Sequence, residues 1–176
     1  VRTTRGEYKE GNRILPFYAN ERVGSYHKRW FLWPIYKIEH LATEQIDRRR
    51  DRILFFLYSD THERYLQEKR PDKRVISFWP LFSYRRTGGV SHFFTLSLLE
   101  PFFGENPGIE HNWAPLWRVY QVKRDQYGNE MSSFLWNLYW KERRGESLAW
   151  ELFPLFSYRH TEDSGSDFRF LKGLFR

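Results

Sequence analysis

Short runs of large apolar residues alternate with charged stretches along the whole chain, and the runs are alike. Ser77-Phe78-Trp79-Pro80-Leu81-Phe82-Ser83-Tyr84-Arg85-Arg86 returns as Leu152-Phe153-Pro154-Leu155-Phe156-Ser157-Tyr158-Arg159-His160. With Pro80 as the reference, nine stretches align, at Pro16, Pro34, Phe56, Pro80, Pro101, Pro115, Asn137, Pro154 and Gly173, in steps of 14 to 24 residues. Self-similarity on this scale marks a repeat architecture, in which each unit stacks on the next. Two positions past the reference, every unit carries an aromatic ring: Tyr18, Tyr36, Tyr58, Phe82, Phe103, Trp117, Tyr139, Phe156 and Phe175. These nine are the expected repeat core. Large apolar residues also stand one position after the reference, from Phe17 to Leu174, and two before it, from Ile14 to Leu171.

Runs this short, rich in aromatics and interrupted by Pro, suit strands better than helices. Strand side chains alternate, so positions minus two, zero, plus two and plus four share one face. The other face is apolar at the centre too, as in Trp33/Ile35 and Trp79/Leu81. That predicts a strand covered on both sides, with the reference Pro in its middle as a regular bulge that bends the sheet. Turn residues recur between runs, in Thr87-Gly88-Gly89, Glu105-Asn106-Pro107-Gly108, Asp125-Gln126-Tyr127-Gly128-Asn129, Arg143-Arg144-Gly145-Glu146 and Asp163-Ser164-Gly165-Ser166. They predict antiparallel hairpin links. The shortest step, from Pro101 to Pro115, is hard to fit to a parallel solenoid rung and easy for a hairpin, which favours the meander. Two longer connections, residues 40–52 and 61–74, have room for a turn or two of helix, which Pro71 would end in the second.

The expected fold is therefore all-β, a tandem array of about nine ~20-residue strand repeats forming a curved antiparallel meander, whether open, sandwich-like or closed as a barrel. Residues 1–12 read as a polar lead-in or edge segment, and residues 13–176 as one continuous array, part of a longer or processed chain.

Composition adjusts this picture in three ways. Aromatic residues make up 20% of the chain, which is ample material for a core. A net charge of +7 favours anionic partners, with Arg48, Arg49, Arg50, Arg85, Arg86, Arg143 and Arg144 as candidate contacts. The same cations also guard aromatic strands against edge pairing. The absence of cysteine excludes disulfides and thiolate metal sites. No run reaches the ~18 apolar residues of a membrane helix.

Candidate chemistry is sparse. His40, His62 and His111 each adjoin a Glu, but strand neighbours face opposite sides, so these pairs are not preassembled dyads. His27, His92 and His160 also fall at unit ends or in connections and read as surface. Neither a phosphate-binding Gly loop nor a nucleophile motif occurs, so no catalytic residue, metal, cofactor or small-molecule substrate is expected. The pattern points to a non-enzymatic structural or scaffold protein of the cell envelope or extracellular space, packing aromatic strands against itself or partner subunits. The alternatives are an outer-membrane β-barrel, or a segment of one, and a binding module for an anionic polymer, polysaccharide or nucleic acid.

Overall fold

The computed structural model describes residues 9–67, 69–96, 98, 118–162 and 165–171. Among the described residues there are fifteen β-strands and no α-helix. The first seven are β1 (Lys9–Ile14), β2 (Tyr18–Val23), β3 (Tyr26–Phe31), β4 (Tyr36–Ala42), β5 (Ile46–Ile53), β6 (Tyr58–Tyr65) and β7 (Lys73–Phe78). After them come β8 (Phe82–Thr87), β9 (Val90–Thr95), β10 (Tyr120–Arg124) and β11 (Glu130–Phe134). The last four are β12 (Tyr139–Arg144), β13 (Ser147–Leu152), β14 (Phe156–Thr161) and β15 (Gly165–Phe170). They follow one another across the sheet in chain order, so the antiparallel meander read from the hairpin links is the observed topology. The described residues fall into two compact units, those of Val1–Trp79 with Arg85–Gly88 and those of Pro80–Tyr84 with Gly89–Arg176. The first unit holds β1 to β7 and the second β9 to β15.

The repeat reference is not mid-strand, as the sequence pattern suggested, but at the tip of a hairpin. Pro16, Pro34, Phe56, Pro80, Asn137 and Pro154 all lie in turns, and each repeat supplies two strands rather than one. The reason is the one that made mid-strand Pro awkward. Pro has no N–H to give to a ladder, and a turn does not ask for one. The Leu15–Pro16, Trp33–Pro34 and Phe153–Pro154 peptide bonds are cis. Two lengths of turn occur. Leu15-Pro16-Phe17 closes with Phe17 N–H donating to Ile14 O at 2.8 Å, and the longer 32–35 turn with Ile35 N–H donating to Leu32 O at 2.7 Å. In the longer turns the leading leucine has positive φ: +48° at Leu32, +46° at Leu54 and +44° at Leu135. That region is uncommon for a bulky side chain. Hydrogen bonds hold it there, since Leu32 N–H donates to Phe17 O and Leu54 N–H to Ile35 O, each at 2.7 Å.

Neither connection with room for helix holds one among its described residues. Residues 46–53 form β5 and residues 58–65 form β6, paired from Ile46↔Tyr65 to Ile53↔Tyr58. Their dense charge is placed by strand alternation and paired both across strands, as Arg48 with Glu63, and along one strand, as Arg49 with Asp51, so apolar spacing carries no sign of it. β1 also takes in Lys9 to Asn12, from the stretch read as lead-in.

The plus-two aromatics have a common structural place. Tyr18, Tyr36, Tyr58, Phe82, Tyr139 and Phe156 each open a strand, immediately after a turn. Phe103, Trp117 and Phe175 lie outside the described residues, and in β10 the opening place belongs to Tyr120. In the first unit these rings join a row that crosses seven strands on one face: Ile14, Tyr18, Phe31, Tyr36, Ile53, Tyr58 and Phe78. Ring centroids lie 5.4 Å apart for Tyr18 and Phe31 and 6.1 Å for Phe31 and Tyr36. The second unit repeats the device with Tyr120, Phe134, Tyr139, Leu152, Phe156 and Phe170. Each such pair contributes roughly 0.5–1.5 kcal/mol beyond its buried area.

These rows are half-buried rather than sealed. Among the described residues only Ala19 and Phe94 are buried apolar side chains, and Arg118 lies over the Phe94 ring at 3.9 Å. Strand contacts join sequence neighbours alone among the described residues. The expected apolar second face is absent because its residues, such as Trp33, Ile35, Trp79 and Leu81, stand in the turns.

Candidate functional site

The two ends of the strands differ in chemistry. At one end of the first unit the turns are Leu15-Pro16-Phe17, Leu32-Trp33-Pro34-Ile35 and Leu54-Phe55-Phe56-Leu57. Phe17 is 62% exposed, Trp33 52% and Phe55 52%. The tips touch one another, with Trp33 and Phe55 edge to face at 6.3 Å and Phe56 and Trp79 likewise at 5.3 Å. Successive turns are hydrogen-bonded, so the ladder continues into the tips and fixes them side by side. In the second unit one end of the strands likewise carries Leu135-Trp136-Asn137-Leu138 and Phe153-Pro154-Leu155, with Trp136 57% exposed. Phe153 N–H donates to Leu138 O at 2.8 Å, again binding turn to turn, and Leu135 N–H donates to Val119 O at 2.7 Å. Each unit thus presents a rim of large apolar side chains.

The opposite ends close with Gly24-Ser25, Thr43-Glu44-Gln45, Gly88-Gly89, Asp125–Asn129 and Gly145-Glu146. Here the turns are held by their own polar groups. Thr43 N–H donates to Ile46 O at 2.9 Å, and Ile46 N–H to Thr43 Oγ1 at 3.0 Å. Asp125 accepts from Tyr127 N–H at 2.8 Å and Asn129 N–H at 3.0 Å, and the Asn129 side chain foremost holds its carboxyl below the ordinary range. Leu66, Val90, Tyr127 and Met131 are the large exposed apolar residues near these turns among the described residues.

The candidate anion-contact arginines are carried by different strands and have different partners. In β5 the run Arg48-Arg49-Arg50 is split by alternation, with Arg49 on one face and Arg48 and Arg50 on the other. Arg48 Nε lies 2.7 Å from Glu63 Oε1, and Arg50 Nε donates to Thr61 Oγ1 at 3.1 Å. Arg49 Nε sits 3.2 Å from Asp51 Oδ2. Arg86 donates to Gly88 O at 3.2 Å, and Arg144 pairs with Glu142. Arg143 stands opposite Glu130 and Leu148, and Arg85 lies in β8.

Glu39 is the hub of the Arg48/Arg50 face. It lies 2.5 Å from Lys37 Nζ, accepts from Tyr26 Oη at 2.6 Å and is 3.6 Å from Arg52. Burial alone would raise its carboxyl, but the bonds from Lys37 and Tyr26, with Arg52 beside them, hold it below the ordinary value. Burial and then Glu39 push the Tyr26 phenol up.

Sequence neighbours His40/Glu39 and His62/Glu63 are divided between the two faces, as alternation requires. His40 Nε2 instead meets Asp47 Oδ1 at 2.7 Å. His92 packs on Phe94 at 5.1 Å, His160 Nδ1 lies 3.0 Å from Ser166 Oγ, and His111 is outside the described residues. Among the described residues no group of His, Asp and Glu is placed to hold a metal ion. No family model matches the chain, and neither a curated protein nor a solved structure matches it.

Proposed function

We propose that the chain is a non-enzymatic structural protein that assembles with further copies of itself through its apolar turn rim. The observation that carries this reading is the segregation of large exposed apolar side chains to one strand end in both units, in turns bonded side by side. A solvent-exposed apolar strip of this kind is the usual mark of an interaction surface. Burying one Trp or Phe tip fully contributes about 1.5–3 kcal/mol, so several tips together suffice for association. Ionic rows on both faces of the first unit favour contact through the rim over a lipid-facing wall, which needs an outward apolar band. One face carries Arg13, Lys37 and Arg52, and the other Arg29, Asp51 and Asp60.

The test is the mass of the purified chain by light scattering behind a sizing column, without detergent. A defined oligomer or regular polymer is expected, reduced to single chains by Trp33→Ser combined with Phe55→Ser. A wild-type chain that stays monomeric at all concentrations, or an oligomer indifferent to those substitutions, overturns the reading. Recovery in detergent alone moves the rim into a membrane.

A further inference from the structure

The first unit bears a second surface that owes nothing to the rim. Strand pairing brings Arg22, His27, His40, Arg49, His62 and Arg74 into one cross-strand row, one residue from each of β2 to β7. Neighbouring members are set by the strand spacing of about 4.8 Å. A shallow trough of about 500 Å³ opens over the β3 to β6 part of the row. Its cations are Arg29, Arg49 and Arg64, its one carboxylate is Asp47, and Asp47 is engaged by His40 at 2.7 Å. A second trough of about 580 Å³ shares Arg49 and His62 with the first and runs on toward β7. There the cations alternate with carboxylates: Arg74 Nη2 lies 2.8 Å from Asp60 Oδ2, and Arg49 3.2 Å from Asp51.

We propose that this double trough binds a linear anionic polysaccharide lying across the strands, its carboxylate or sulfate groups on the cationic row and its hydroxyls on the interleaved aspartates. Three features select that ligand. Repetition at strand spacing suits a polymer with a charge on successive units rather than a single small anion. Excess positive charge in the first trough attracts it, and attraction of this type releases counterions on binding. The second trough's carboxylates would repel an all-acceptor chain, whereas a sugar's hydroxyls donate to them. Nucleic acid fits less well, because no Trp, Tyr or Phe lines either trough among the described residues, and single strands rely on aromatic platforms for their bases.

The probes are heparin and polygalacturonate, with a deoxythymidine oligonucleotide of equal charge beside them, titrated against the full chain at several salt concentrations. Binding to at least one polysaccharide is expected, with affinity falling linearly in log–log form as salt rises. Arg49→Gln and Arg64→Gln should each weaken it several-fold and lower the salt slope by about one. Arg52→Gln removes the same charge from the opposite face of β5 and should leave affinity and slope nearly unchanged. An equal effect of Arg52→Gln reduces the binding to net charge and overturns the site. So does preference for the oligonucleotide, or no binding to either polysaccharide at low salt. Arg64 is largely exposed and outside the tight ion pairs, so its variant keeps the test decisive should Arg49→Gln fail to fold.

Discussion

The two ends of the hairpins solve the same problem with opposite chemistry. Both must reverse the chain between antiparallel strands. The Gly-bearing end does so with short turns such as Gly24-Ser25 and Gly88-Gly89, or with a local network such as that of Asp125, and faces water with polar groups. The other end uses three or four large apolar residues, several at positive φ, where two small ones would reverse the chain. Those side chains exceed what reversal alone requires. The contrast separates turns held by their own polar groups from apolar turns bonded to the next turn along.

Four measurements sharpen that contrast, beginning with the largest effect. Replacing Leu54-Phe55-Phe56-Leu57 by an Asn-Gly turn should leave the circular dichroism β-type but abolish association, whereas Gly145-Glu146→Asn-Gly should leave association intact. Loss of β structure in the first variant would make the apolar turn a folding element. Second, Phe94→Ala should lower stability by about 3–5 kcal/mol in denaturant titration, the usual cost of deleting a buried Phe. The half-buried Phe156, beside Phe168 at 6.1 Å and Phe170 at 5.3 Å, should cost only about 1–2 kcal/mol on the same change.

The third concerns acid. Burial foremost, then Arg29, Arg22 and His40, hold the His27 ring below its ordinary value. Its contribution to stability is complete above about pH 6.5 and declines as pH falls toward the folded value. Glu39 behaves alike at lower pH, contributing above about pH 4.3 and losing that contribution as pH drops through its depressed folded value. Unfolding midpoints should therefore fall in two stages, with His27→Gln removing the upper and Glu39→Gln the lower. A single stage untouched by either variant would place the acid sensitivity elsewhere. The smallest effect is at the polar turns. Gly88 has φ +57° and an added Cβ would meet Pro71 Cβ at 2.8 Å, while Gly145 has φ +55° and open space around it. Gly88→Ala should cost more than Gly145→Ala, which lowers stability by only about 1 kcal/mol through added backbone strain.

The repeat, the strand character and the antiparallel links were legible in the sequence, because apolar spacing and turn residues act locally. Tyr18 and Phe156 were singled out for their position and do mark one structural place. What the pattern hid was phase. A Trp-Pro-Leu-Phe run is as apolar at a hairpin tip as inside a strand, and only the missing N–H of Pro hinted at the tip. β5 and β6 escaped because their residues are charged, and their strand character depends on partners such as Glu63 for Arg48 across the sheet. The row of Arg22, His27, His40, Arg49, His62 and Arg74 was invisible for the same reason: it exists only once the register of six strands is known.

Among the described residues strands touch only their neighbours in sequence, which makes the sheet modular. Removing or duplicating one described hairpin disturbs just the two junctions it leaves, so the number of repeats can change by copying a short segment of gene while the other described strand pairs are kept. The number of apolar tips in each unit would then be set by copy number rather than by redesign.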